Sequence, residues 1–335
     1  MAKHKNLSFF IPHLGCPHQC SFCDQCTISG TQSAPAPEEI VTACRQMLER
    51  YGTLENAEIA FFGGSFTAIP EAYQNQLLTA VQPFLGKEKF QGIRISTRPD
   101  AIDTVTLRRL QGFGVTAIEL GAQSMSDRVL TMNERGHSAQ AVVRASQLIR
   151  ENFSLGLQLM VGLYGSTLAD EYASLEAVLG CQPDTLRIYP TAVLAGTKLA
   201  EYWGTAEYPV LSWEEVLDFC ADSLCRCHSC GVKVIRMGLH DSPSLRERLL
   251  GGYFHPAYRE MAESRLYLRA LQQAACGKQE LFVETAPGTM SKLLGQKSYN
   301  RKLLAQQGIR LQVKESPLLT PGTILADRSY DIYGH

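Results

Sequence analysis

Short apolar runs at residues 6–12, 57–62, 92–97, 115–120, 154–161 and 185–189 predict strands. Between them, apolar positions recur three and four residues apart at 38–51, 70–85, 103–112, 138–151 and 168–179, which predicts helices. In the first of these, Ile40, Val41, Cys44, Met47 and Leu48 share one face. Pro37 stands at its start, where a proline sacrifices no helical hydrogen bond. Cys44 therefore reads as core. Ser138 is placed to cap the helix that follows it. Six strands alternating with five or six helices argue an α/β fold, a parallel sheet with helices outside. Farther along, 212–231 and 291–307 read as helices, another helix starts at Leu266, and 280–283 reads as a strand.

In parallel sheets of this kind ligands bind at the carboxyl ends of the strands. The polar and glycine-rich segments of this chain fall at those ends, so one site lined by six loops is expected. After the second strand come Gly63, Gly64 and Ser65, where two glycines let backbone approach a ligand. After the third come Ser96, Thr97, Arg98, Pro99 and Asp100. Arg98 can take a carboxylate through two parallel N–H groups or pair with Asp100. Glu119 lies in an apolar strand, where an unpaired carboxylate is costly. It needs either an arginine such as Arg94 or a ligand. Gln123 and Ser124 end that strand, and Arg135, Gly136 and His137 follow. Gln158 and Met160 lie along the fifth strand, and Gly162 and Gly165 frame Leu163 and Tyr164. Tyr189 closes the set as a packed aromatic or a residue that reaches substrate.

The loop after the first strand carries the strongest chemical signal. Cys16, Cys20 and Cys23 are spaced CxxxCxxC in a Pro-, Gly- and His-rich stretch. Three thiolates so close can hold three irons of a 4Fe-4S cluster, because soft sulfur suits iron–sulfur chemistry. Cys26 extends the run, so a four-thiolate zinc site or a fully ligated electron-transfer cluster stays open at this point. A second group, Cys220, Cys225, Cys227 and Cys230, scatters around a helix and reads as helix thiols rather than a metal set.

Composition narrows the setting. The chain has 335 residues, 45% of them hydrophobic, and a formal net charge of −1, so no global basic field advertises nucleic acid. Eleven cysteines, an odd number in a long chain with no evident signal peptide, do not read as a disulfide framework. No apolar run reaches the roughly 18 residues of a membrane span. A reducing, cytoplasmic location without membrane contact is expected. Between Lys278 and Glu315 seven Lys/Arg face three Asp/Glu, a local excess of four positive charges. Lys297, Arg301 and Lys302 lie there on a helix that could touch an RNA backbone.

The cysteine loop, with Phe22 before its last cysteine, resembles that of the radical S-adenosylmethionine (radical SAM) enzymes. The resemblance implies that Cys16, Cys20 and Cys23 hold a 4Fe-4S cluster whose fourth iron is chelated by SAM. In that superfamily an electron from the cluster cleaves SAM to methionine and a 5'-deoxyadenosyl radical. It also implies SAM-binding roles for Gly63, Gly64, Ser65, Ser96, Thr97, Arg98, Glu119, Gln123 and Gly162, with Ser65 standing where the superfamily usually has Glu. The implied fold is a partial (β/α)6 TIM-type barrel over 1–250 with a small α+β extension over 251–335. The segments Ser-Thr-Arg-Pro-Asp (96–100), Glu-Leu-Gly-Ala-Gln-Ser (119–124), Arg-Gly-His-Ser (135–138) and Arg-Ile-Tyr-Pro-Thr (187–191), with 234–241 and 253–260, resemble the branch that contains the radical SAM half of the Elongator catalytic subunit. That branch implies RNA, a tRNA uridine, as substrate, and an electron donor such as ferredoxin or flavodoxin. Too few residues follow Glu260 for the branch's acetyltransferase domain, so acetyl-CoA chemistry is not expected. A small molecule such as a tetrapyrrole is the alternative substrate.

Overall fold

The computed structural model describes residues 5–16, 19–31, 33–54, 56–206, 208 and 210–334. In chain order the first half comprises β1 (Lys5–Ile11), α1 (Gln25–Ser29), α2 (Pro37–Tyr51), β2 (Ala57–Gly63), α3 (Glu71–Val81), β3 (Gly92–Thr97), α4 (Thr104–Gly112), β4 (Val115–Gln123), α5 (Asp127–Met132), α6 (Ala139–Arg150), β5 (Ser154–Val161) and α7 (Leu168–Gly180). The second half continues with β6 (Thr185–Pro190), β7 (Ala192–Leu194), α8 (Lys198–Tyr202), α9 (Trp213–Ser229), β8 (Lys233–Met237), α10 (Pro243–Arg248), β9 (Leu249–Gly252) and α11 (Tyr258–Ala274). It ends with β10 (Glu280–Thr285), α12 (Met290–Leu294), α13 (Tyr299–Gln306), β11 (Arg310–Glu315), β12 (Thr323–Leu325) and β13 (Ser329–Asp331).

The strands β1 to β6, followed by β8, pair in parallel in that order to form a curled, open half-barrel. This is the partial barrel expected from the sequence, with one strand more. Alternation along the strands separates two faces. Ile93 and Ile95, Ile118 and Leu120, Leu157 and Leu159, and Leu186 and Ile188 are buried in the main core, together with Ile40, Cys44, Leu77 and Val142 of the flanking helices. The alternate positions turn Ser96, Gln158, Met160, Arg187 and Tyr189 into the barrel interior. That division puts packing outside and chemistry inside.

Several elements depart from the pattern-based reading. Helix α3 stops at Val81, four residues short of the expected end, because Pro83 cannot continue it and a 3-10 turn over Gln82–Phe84 follows. Strand β8 was not anticipated: its charged Lys233 and Arg236 dilute the apolar signal of a five-residue edge strand. Helix α11 begins at Tyr258 rather than Leu266. The single helix expected over 291–307 is two, α12 and α13. They are separated at Gly295 (φ 73°), where a Cβ would lie 3.0 Å from Ser264 Oγ and 3.1 Å from Asn300 Oδ1. The buried Asn300 amide ties this joint to the Ser264 and Leu293 carbonyls, at 3.0 and 2.9 Å.

Helix α11 packs along α9, and a four-stranded sheet in the order β11-β10-β12-β13 follows it. Leu281, Val283, Ile324 and Tyr330 of that sheet belong to the same hydrophobic core as the barrel's outer face. Cys220, Cys225 and Cys227 are buried on α9, whereas Cys230 is exposed at its end. A second apolar cluster forms around Val193, Leu199 and Tyr208, with Phe22 and Tyr164 packed on it. Among the described residues no helix is long and apolar enough to cross a membrane.

Candidate active site

The cysteine loop is fastened to the barrel at several points, and glycines make the closest of them possible. Gly64 N donates to the Ile11 carbonyl at 2.7 Å, and Ser65 N to the Leu14 carbonyl at 3.0 Å. A Cβ on Gly64 would stand 2.0 Å from the Leu14 carbonyl oxygen, and one on Gly15 (φ +75°) would stand 2.4 Å from that of Ser65. Those contacts are backbone against backbone, so no side-chain rotation relieves them. The glycine pair therefore admits the loop itself, in addition to facing the site.

On the far side of the loop, Asp24 caps α1 by accepting from Thr27 N at 3.0 Å and is ion-paired with Arg248 of α10 at 2.8 Å. Ser21 N donates to the Asn133 carbonyl at 3.1 Å, and Leu199 N donates to the Ser21 carbonyl at 2.7 Å. Ser21 Oγ also donates to Asn133 Oδ1 at 3.0 Å, and the Asn133 amide donates to the Val129 and Tyr164 carbonyls at 2.8 and 2.9 Å. His13 and Gln25 close the loop on itself: His13 N donates to Gln25 Oε1 and Gln25 N to His13 Nε2.

Cys16, Cys20 and Cys23 line a cavity of about 80 Å³ together with Gly63, Gly64, Ser96, Thr97, Arg98 and Gln123. Cys26 is not part of that wall; it lies on α1. Burial pushes the Cys16 thiol up, opposed by Arg135. Burial, then the neighbouring Cys20 and Cys16, push Cys23 up to about 12. The thiols thus sit close enough to repel one another once ionised, and a thiolate set here requires a positively charged occupant. Among the described residues no three His, Cys, Asp or Glu side chains converge on a single-ion site. In a cluster, by contrast, each iron takes its own thiolate.

Arg135 reaches the sulfurs directly, with Nη1 donating to Cys20 Sγ at 3.6 Å and Nη2 to the Gly121 carbonyl at 2.8 Å. Burial, then Arg135, depress His137 to about 4, so its ring is neutral at pH 7. Arg98 is held by Asp100 through two bonds of 2.9 and 2.6 Å. Three buried polar atoms on residues of this wall lack a partner: Arg98 Nη1, Gln123 Oε1 and Arg135 Nε. Buried groups of this kind normally find partners, so their clustering marks a place built for a polar ligand.

Other sequence-predicted residues, Ser65, Glu119 and Gly162, are not part of that wall. Ser65 lies behind the wall, its Oγ 2.8 Å from Thr97 Oγ1 and accepting from Arg98 N at 3.1 Å. Glu119 is engaged by arginines: Arg187 Nε at 2.6 Å and Nη2 at 2.9 Å, and Arg94 Nη1 at 3.4 Å. Gln158 donates to the same carboxylate at 2.9 Å. Gly162 (φ +75°) admits the Tyr253 ring, which a Cβ would meet at 2.4 Å, and its N–H donates to Glu171 Oε1 at 2.7 Å. Glu171 is pushed up to about 7 by burial. Nothing in the local sequence marks His13, Gln25 or Asn133, or gives Arg135 its role. They act through loops that converge only in the fold, and no periodic pattern marks them.

The small cavity opens into one of about 450 Å³ that shares Phe22, Cys23, Gln25, Gly63, Ser96, Gln123 and Gln158 with it. Phe10, Phe22, Phe62 and Tyr189 supply flat apolar walls, so Tyr189 faces this space. Arg187 lies over the Phe62 ring at 5.0 Å.

An open parallel half-barrel whose strand ends surround three loop thiols defines an α/β enzyme with its site at the carboxyl edge. The sequence matches the Radical SAM superfamily over residues 10–177 and the Radical_SAM C-terminal domain over residues 183–268. The chain belongs to the radical SAM superfamily and is a radical SAM enzyme. Membership implies a 4Fe-4S cluster and SAM as cofactors. Among curated relatives, a tRNA uridine(34) acetyltransferase of Methanocaldococcus infernus is 24% identical over 244 residues, covering 61% of this chain and 46% of the relative. Elongator complex protein 3 of Danio rerio is 27% identical over 198 residues, covering 52% of this chain and 36% of the relative. The chain thus spans half or less of the length of these two proteins. Among solved structures, the archaeal Methanocaldococcus infernus Elp3 with an N-terminal deletion aligns with a TM-score of 0.61 at 20% identity, over 80% of this chain and 63% of that one. Coproporphyrinogen III oxidase from Escherichia coli aligns with a TM-score of 0.51 at 18% identity, over 68% and 54%. At such identities the likeness concerns the fold.

Proposed function

We propose that Cys16, Cys20 and Cys23 hold a 4Fe-4S cluster with SAM beside it, and that the enzyme uses them to modify RNA, at a tRNA uridine. The observation that carries the cofactor reading is the set of three thiols on one small cavity, with Cys26 outside its wall. The residues present fit the pair of cofactors. The donor set is soft and anionic when ionised, and the unpartnered atoms match the polar ends of an amino acid. Arg98 Nη1, buried without a partner, would hold the carboxylate of SAM, and Gln123 Oε1 would accept from its ammonium group. Arg135 offsets thiolate charge through its bond to Cys20. When bound, the cofactors supply an electron and a carbon radical for hydrogen-atom abstraction. The aromatic walls beyond Cys23 hold a flat substrate and keep water from the reacting edge.

RNA is supported by the named activity of the relatives and by the C-terminal helix pair. Of its cations, Lys292 is spent on Glu263 at 2.6 Å. Lys297, Arg301 and Lys302 have no ion-pair partner among the described residues. Replacing these three by Ala is expected to weaken binding of a tRNA transcript and to lower the salt dependence of binding by up to about three counterions. An affinity unchanged at every salt concentration, with no nucleoside altered in RNA from a deletion strain, would contradict the RNA reading and favour a small molecule.

A further inference from the structure

Among the described residues three of the barrel's interior arginines have carboxylate counter-charges, whereas Arg135, spent on the Cys20 sulfur and the Gly121 carbonyl, and Arg236 do not. Arg94 is paired with Glu58 at 2.7 Å, Arg98 with Asp100 at 2.6 Å and Arg187 with Glu119 at 2.6 Å. Among the described residues Arg236, half-buried on β8, has one acceptor, the Gly238 carbonyl, to which its Nε donates at 2.9 Å. Among the described residues no carboxylate pairs with it. A guanidinium has five N–H donors in one plane, so four remain to be used.

Its position sharpens the imbalance. Arg236 is the register partner of Arg187 across the β6–β8 pair, which puts two guanidinium groups side by side on one face. Like charges so placed repel, and Glu119 neutralises only the first. The wall therefore carries excess positive charge where it meets solvent-filled space. On one side lies the cavity of about 450 Å³ that adjoins Cys23; on the other, at the amino ends of the strands, lies one of about 1030 Å³. Arg236 does not belong to the wall of the cysteine cavity, so the cofactor's own carboxylate is not its natural partner.

We propose that Arg236 is the phosphate-recognition residue of the substrate pocket: it takes a phosphate of a nucleotide whose base lies between the aromatic walls. The inference rests on the RNA reading and deepens it. A planar fork of N–H groups matches two oxygens of a phosphate. Aromatic faces bind an unstacked base, as Phe10 and Tyr189 are placed to do. A pocket holding both features selects a flat heterocycle with an anionic tail.

The test compares uridine 5'-monophosphate with uridine by anaerobic calorimetry on the iron-reconstituted, SAM-loaded protein. The wild type binds the monophosphate tighter by roughly tenfold or more. Arg236→Gln brings the two affinities together, and Arg236→Lys, which keeps the charge without the fork, restores part of the difference. Equal affinities in the wild type, or a difference that survives in Arg236→Gln, overturn the proposal. So does a loss of SAM affinity in that variant as large as the loss for the monophosphate. If the wild type still binds a tRNA transcript in those cases, the RNA reading stands and only this site falls. If it binds neither the uridine compounds nor tRNA, both fall.

Discussion

Glu171 shows how one residue couples burial to pH. Its Oε1 accepts from Gly162 N and Ser166 Oγ, both at 2.7 Å, which favours the anion, but burial outweighs them and the group is pushed up to about 7 from an ordinary 4.5. The native state therefore holds a proton that the unfolded chain has released between about pH 4.5 and 7. A raised carboxyl contributes stability below that window and loses it as pH rises through the folded value, so stability should fall from pH 5 to pH 8 by on the order of 1–3 kcal/mol from this group. Urea melts of Glu171→Gln should show a flatter profile over the same range. An identical slope in both proteins would place the pH dependence elsewhere. Gly162, on the same hydrogen bond, was expected at the cofactor. The structure gives it the task of admitting the Tyr253 ring, a requirement set by a residue 91 positions away and so not visible in the local sequence.

At the scale of elements, the decisive joint is between the loop after β1 and the end of β2. Gly64→Ala would drive a methyl to 2.0 Å from the Leu14 carbonyl, and backbone on both sides would have to give. We expect a loss of about 2–4 kcal/mol in unfolding free energy and iron loading well below that of the wild type. A variant with full iron and an unchanged urea midpoint would show that the loop does not depend on this approach. The interior ladder from Glu58 through Arg94 and Glu119 to Arg187 crosses β2, β3, β4 and β6 and ties four strands on the inner face of the sheet. From the sequence, Glu119 demanded a partner and Arg94 was the nearest choice. Arg187 was not foreseen, because which strands neighbour one another on the inner face follows from the sheet order.

At the scale of the whole molecule, the open barrel and its loop site were legible because strands buried against helices keep their apolar runs and because three cysteines at close spacing have few structural uses. What escaped has a common cause. Strand β8 carries charges, since an edge strand lining a polar interior has less need of apolar residues on both faces. Arg135 and Asn133 reach the cysteine loop across more than 100 positions of sequence. The break between α12 and α13 follows from a tertiary contact of Asn300 with Ser264. Long-range convergence, not local propensity, decides each of these.

The proposed chemistry depends on three protein sulfurs at the cluster, with one iron left for SAM. Electron paramagnetic resonance of the reduced, iron-reconstituted protein, recorded before and after addition of SAM, distinguishes three protein sulfurs from four. We expect a 4Fe-4S signal that SAM perturbs in both the wild type and Cys26→Ala and that is lost in Cys20→Ala. A signal indifferent to SAM, or one abolished by Cys26→Ala, would contradict it.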